Sequence, residues 1–183
     1  MARIYLVRHG QAAGGFDEDL DPGLSELGWT QAQAARDALS RHGPIDVISS
    51  PLRRCRETAK PLCDIWSVTP TIVDAVAEIP SPTDDLDART KWLRSIMPGT
   101  WTEIGDPSLE MWRRNCVSAV GSLTSDTVIF SHFVAINAIV GGIQGDDRMV
   151  VFRPNNCSIT IVDVDGGNMS VAQLGDEAET QVR

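Results

Sequence analysis

At 183 residues, 42% of them hydrophobic, the chain has the size of one ordinary domain able to bury a core without disulfides or metal. A formal charge of −9 argues against bulk attraction to nucleic acid or an anionic membrane, so any phosphate site has to be a local basic cluster. The four cysteines lack paired short spacing and no long apolar run occurs, which predicts free thiols in a reducing compartment and a cytoplasmic location.

The apolar run Ile4 to Val7 reads as a buried strand that delivers Arg8-His9-Gly10 to its carboxyl end, where open α/β sheets bind ligands. After the acidic, glycine-containing loop Gly14 to Gly23, helical spacing from Ser25 (Leu27, Gln31, Ala35, Leu39) ends at a second copy of the same triplet, Arg41-His42-Gly43. There, Gly followed by Pro44 marks a helix stop, so His42 is structural. A second strand, Ile45 to Ile48, leads to Ser49-Ser50-Pro51, which is expected to open a helix carrying Leu52, Cys55, Ala59, Leu62 and Cys63 on one face.

A third short run, Thr71 to Val73, precedes Glu78, and the two prolines in Ile79 to Pro82 predict a loop at a sheet edge. Helices are expected over about Asp84 to Met97 and Pro107 to Leu123. The tryptophans between Trp92 and Trp112 read as core in preference to a lid, with Trp92 unplaced. The first of these helices shows an apolar stripe (Leu86, Leu93, Met97) that would pack it on the domain. Thr127 to Phe130 is another strand, ended by Ser131-His132, and Phe133 to Val140 follows as a helix. Val150 to Phe152 and Ile159 to Val162 read as strands. Asp165-Gly166-Gly167-Asn168 reads as a hairpin turn into Met169 to Leu174, and the polar tail Gly175 to Arg183 is expected to fray. Strands alternating with helices predict an α/β layered fold, its sheet mainly parallel with an antiparallel end.

His9, the helix start after Ser50, Glu78 and His132 all follow predicted strands, so one mouth of the sheet would collect them. That helix start, with its free N–H groups and Arg53, Arg54 and Arg56 nearby, suits an anion. Adjacent helical residues diverge by about 100°, so only one of Arg53 and Arg54 can serve the site while the other is solvated.

The ordered set IYLVRHGQ, LSELGWTQA, SSPLRRCRETA, Glu78 and Ser131-His132 resembles the histidine phosphatase superfamily, the phosphoglycerate-mutase-like group, and its branch 1 of small cytoplasmic members. The resemblance implies a three-layer αβα sandwich with an antiparallel C-terminal hairpin, one domain over residues 1–174 with a helical insertion at about 79–123. It makes His9 the nucleophile, Glu78 the proton donor and acceptor, and Arg8, Arg54 and His132 the phosphoryl-binding groups, with Gln11 beside the substrate. It implies no metal and no cofactor. The expected partner is a small phosphorylated substrate or a phosphoprotein, and the oligomeric state stays open.

The sequence departs from the family in two places. Phe133 and Val134 stand where many members carry glycine, which leaves the width of the pocket open. Gly14, Gly15 and Phe16 replace an asparagine with which related mutases touch phosphate. With no second basic cluster visible, a monophosphate-cleaving phosphatase is favoured; the alternatives are a phosphoglycerate-type mutase and a non-catalytic phosphate-recognising module. Acidic residues near the mouth (Asp17, Glu18, Asp19, Asp84, Asp85) predict a substrate otherwise neutral or cationic.

Overall fold

The computed structural model describes residues 1–14 and 19–178. Gly15, Phe16, Asp17 and Glu18, and the tail from 179, lie outside the described residues.

Six strands form one sheet in the order β3-β2-β4-β1-β5-β6. They are β1 (Ala2–Arg8), β2 (Asp46–Ser49), β3 (Thr71–Ile72), β4 (Thr127–Ser131), β5 (Ile159–Asp165) and β6 (Asn168–Gln173). The first four in spatial order run parallel, and β5 and β6 are antiparallel additions. Side chains alternate along a strand, so each half of β1 packs a different layer. Tyr5 and Val7 face α1 (Glu26–Leu39) and α2 (Arg53–Trp66) through Ala35, Leu39, Cys55 and Leu62. Ile4 and Leu6 face α5 (Pro107–Gly121) and α6 (Phe133–Gln144) through Cys116, Val120, Ile136 and Ile139. The expected three-layer architecture follows from that alternation. Gly166 and Gly167 both take positive φ in the β5–β6 turn, as a tight hairpin requires.

Helix ends explain most boundaries. Ser25 caps α1 by accepting from Gly28 N, Asp106 caps α5 ahead of Pro107, and Asp85 caps α3 (Leu86–Ile96) by accepting from Ala88 N. A one-turn helix, α4 (Trp101–Ile104), closes on a Thr100–Glu103 capping box that the sequence reading passed over. α2 begins at Arg53, later than expected: the Ser50 hydroxyl accepts from Leu52 N in a turn ahead of the helix, and Asp21 accepts from Arg53 N.

Three expectations need correction. Val150 to Phe152 is not a strand, because the amides of Val151 and Phe152 are taken by the Asn137 side chain of α6. The Glu78 loop does not stay at the sheet edge. It folds inward over β4, where Ser131 Oγ donates to Val76 O and Val76 and Ile79 are buried. Residues 175–178 are tied down: Asn155 N donates to Asp176 O, and Ala178 N to Arg153 O.

Trp101 is buried in a third apolar cluster with Ile79, Leu109 and Met149, against which the partly buried Trp92 packs. All four cysteines are free, three of them buried. Among the described residues no helix is long and apolar enough to cross a membrane.

Candidate active site

Register places the site. Arg8 pairs with Ser131 across β1 and β4, and Ser49 with Phe130 across β2 and β4, so the residues following each strand meet at one end of the sheet. His9 N donates to Ser131 O and Ser50 N to Phe130 O, carrying the ladder one step further. The loop after His9 also packs on α1: a Cβ on Gly10 would meet Gly28 O at 2.7 Å, and one on Gly28 would collide with Gln11 O. Gly10 is thus required for close approach to the protein's own helix.

The protonation of both imidazoles follows from their partners, because a guanidinium only donates. Arg54 Nε donates to His9 Nε2 at 3.2 Å, so Nε2 carries the lone pair, and Nδ1 donates to Gly10 O at 2.7 Å. Arg54 Nη2 donates to His132 Nδ1 at 3.1 Å, leaving Nε2–H to donate to Ser50 Oγ at 2.7 Å. The two rings stand 5.2 Å apart, edge to face. Burial, then Arg54 and Arg8, holds His9 well below the ordinary imidazole range. Burial, then His9 and the nearby arginines, does the same to His132.

Arg54 is 2% exposed, whereas Arg53 lies outside and pairs with Glu57. The solvated arginine is therefore Arg53; Arg56 is exposed too. Arg8 donates through Nη1 to Pro154 O and lies over the Phe133 ring, while its Nε is buried with no hydrogen-bond partner. Burial lowers its proton affinity.

Glu78 is buried at the start of α6, which has no cap of its own. Its carboxyl accepts from Val134 N, Ala135 N and its neighbour Ile79 N. Burial raises its pKa, against the opposing pull of the Ile79 amide, Arg54, the Val134 amide and Arg8. His9, Arg54, Glu78 and His132 thus form one buried constellation with Arg8 at its edge. Gln11 is not brought there: its exposed side chain accepts from Ser25 Oγ at the start of α1. His42 sits against Tyr5, away from the site.

A cavity of about 100 Å³ opens onto His9, with Arg8 and Glu78 beside it, Phe133 and Val134 on one wall and Arg89 of α3 on another. Two wider clefts, of about 350 and 330 Å³, include neither His9 nor His132. Among the described residues no group of three or more His, Cys, Asp or Glu gathers as a metal-ligand set. Positive charge here comes from arginines.

Sequence reasoning missed the supports. Thr58 Oγ1 accepts from Gly10 N and donates to Arg54 O, joining the His9 loop to α2, and Asn156 Nδ2 donates to His9 O. Thr58 sits four residues after Arg54, a spacing that could have suggested the link; nothing local marks Asn156.

The profile of the histidine phosphatase superfamily (branch 1) matches residues 4–177. The chain belongs to this family. Among curated relatives, the histidine phosphatase chain is 30% identical over 178 residues to the PE-PGRS family protein PE_PGRS11 of Mycobacterium tuberculosis, covering 92% of this chain and only 27% of that protein. It is 27% identical to a Yersinia pestis protein named "Probable phosphoglycerate mutase GpmB", covering 89% of this chain and 85% of the other. Solved structures share the fold. Bacillus stearothermophilus YhfR has a TM-score of 0.78 at 19% identity, covering 97% and 98% of the two chains. The mycobacterial glucosyl-3-phosphoglycerate phosphatase Rv2419c, bound to VO3, has a TM-score of 0.71 at 23% identity, covering 94% and 98%.

Proposed function

We propose that this histidine phosphatase family member is a metal-independent, cytoplasmic phosphatase that hydrolyses a small phosphomonoester or a phosphohistidine protein. The observation that carries the reading is the tautomer of His9, with Nδ1–H held by Gly10 O and the Nε2 lone pair beside Arg54. For an ester, Nε2 attacks phosphorus in line and the bond to the alcohol oxygen breaks. Protonated Glu78 gives its proton to the departing oxygen. Water then attacks the phosphohistidine, Glu78 takes the water proton, and the P–N bond breaks to return neutral His9.

Arg8 and Arg54 neutralise the transferring oxygens, and their planar donor forks match phosphoryl geometry. His132 shares Arg54 with His9 and contributes once the phosphoryl group takes that guanidinium. Substrate therefore has to draw Arg54 from the His9 lone pair, which ties binding to release of the nucleophile.

The test is His9→Ala assayed with an aryl phosphate in EDTA, together with rapid acid-free quenching of labelled substrate. The native chain is expected to turn over and to trap an acid-labile, base-stable phosphoprotein, and the variant to do neither. Equal rates for both would end the reading. Label passing to an added alcohol in preference to water would identify a mutase instead.

A further inference from the structure

Cys55 reads in the sequence as part of an apolar helix face, yet its thiol stands among polar groups. Ser50, Cys55, Ser131 and His132 are all fully buried, and none of them lines the cavity at His9. Their donors and acceptors therefore have to be matched among protein groups.

The direction of each bond follows from the far end. Ser131 O is a carbonyl and only accepts; it takes His9 N–H at 3.0 Å and the Cys55 thiol proton at 3.3 Å. With that proton spent, the sulfur is left as an acceptor. Burial pushes the thiol pKa up, while the Arg54 charge and a hydrogen bond from Ser50 pull it down, as expected where the hydroxyl donates to sulfur. The Ser50 proton is thereby used, so its oxygen meets Leu52 N at 3.2 Å and His132 Nε2 at 2.7 Å as an acceptor. His132 is left with Nε2–H and an Nδ1 lone pair, the tautomer that Arg54 requires from the other side of the ring. Sulfur is not the ring's own partner. It lies 3.3 Å from Nε2 and 3.9 Å from Nδ1, too even a pair of distances for an atom in line with one N–H.

We propose that Ser50 and Cys55 are positioning residues, a one-way relay from His132 Nε2–H through hydroxyl and thiol to Ser131 O that locks the His132 tautomer and so holds Arg54. Reversed, Ser50 would donate to Nε2 and Nδ1 would carry the proton. An N–H would then face a guanidinium that has only N–H groups to offer. The consequence for rate rests on the phosphatase reading above, and the tautomer does not.

The chain has three histidines, so nitrogen NMR of the histidine-labelled full chain separates them, and protonated and lone-pair nitrogens resonate far apart. His132 should show Nε2–H and His9 the opposite form, Nδ1–H. Cys55→Val keeps the volume and removes the acceptor, so the Ser50 proton turns to His132 and the Nδ1–H form should appear. Cys55→Ser should keep the native tautomer. Adding Ser50→Ala to Cys55→Val removes the competing proton and should restore Nε2–H, a suppression that lost packing would not produce. His9 should keep its form in every variant, which reports a folded site. On an aryl phosphate, kcat/KM should drop about tenfold in Cys55→Val, as for a misplaced phosphoryl-binding group, and stay near native in Cys55→Ser.

Nδ1–H on His132 of the native chain, or an unchanged His132 tautomer in Cys55→Val, overturns the relay whatever the rates. The expected spectra with no hydrolysis by the native chain remove the phosphatase reading alone. Hydrolysis by the native chain with an unchanged tautomer in Cys55→Val removes the relay alone.

Discussion

Burial, with Arg54 donating to both rings, holds the two imidazoles well below their ordinary range, and the proposed part of Glu78 is to be protonated without leaving its place. The carboxyl accepts from backbone N–H groups at the start of α6, a position that favours negative charge, yet burial raises its pKa above 4.5. Two roles are therefore separable, a cap for α6 and the proposed proton donor. Glu78→Gln keeps an oxygen for the N–H groups and removes the proton. The rate on an alkyl phosphate should fall by about 10² to 10⁴ fold, with a smaller loss on a nitrophenyl phosphate, whose leaving group needs no proton. In the native chain kcat/KM should fall on the alkaline side as Glu78 ionises above the ordinary carboxyl range, and on the acid side as His9 gains a proton below the ordinary imidazole range. The variant should lose the alkaline limb and keep the acid one. Equal losses on both substrates with an unchanged profile would leave Glu78 only its structural role.

The strands that carry the site were legible because each is a compact apolar run ending in a polar residue, as in Ile4 to Arg8 and Thr127 to Ser131. Val150 to Phe152 has the same appearance and is not a strand. Its amides are satisfied by Asn137, whose Oδ1 accepts from Val151 N and Phe152 N while Nδ2 donates to Phe133 O. A single buried asparagine on α6 thus replaces a neighbouring strand, and nothing within the apolar run reveals it. Arg89 was missed for a related reason: helical periodicity shows which stripe of α3 is apolar, but not that the stripe roofs a cavity. Glu78 was expected at the mouth of the sheet, but the path of its loop escaped, since the turn at Asp74–Val76 that carries the chain back over β4 is fixed by Ser131 Oγ, a contact remote in sequence. Asn137→Leu fills similar volume and strands those two N–H groups, so unfolding free energy from urea titration should drop by about 2 kcal/mol or more. A loss under about 0.5 kcal/mol, the scale of an ordinary surface change, would mean that the segment finds other partners.

The same burial that prepares the site should make the whole chain less stable in mild acid. His9 and His132 both lie well below 6.5 when folded, so as pH falls through 6.5 the unfolded chain takes up two protons that the folded chain refuses. Stability from these groups is present above 6.5 and is lost below it. Glu78 acts in the opposite sense. Its folded pKa lies above 4.5, so approaching that value from above the folded chain binds a proton before the unfolded one does, and stability is gained as pH falls. Asp146, Asp147 and Asp163 are lowered from 3.8 by their arginine or hydrogen-bond partners and act beneath this window. Between 6.5 and 4.5 two protons therefore oppose one, and net stability should decline with acid by up to about 1.4 kcal/mol per pH unit for each unmatched proton. Urea midpoints measured from pH 7.5 to 5.0 in buffers free of phosphate should fall accordingly. Glu78→Gln should steepen the decline by removing the opposing group, whereas His132→Asn should flatten it. A midpoint independent of pH across that range, or one that rises in acid, would show that the imidazoles accept protons in the folded chain and that Arg54 does not hold them neutral.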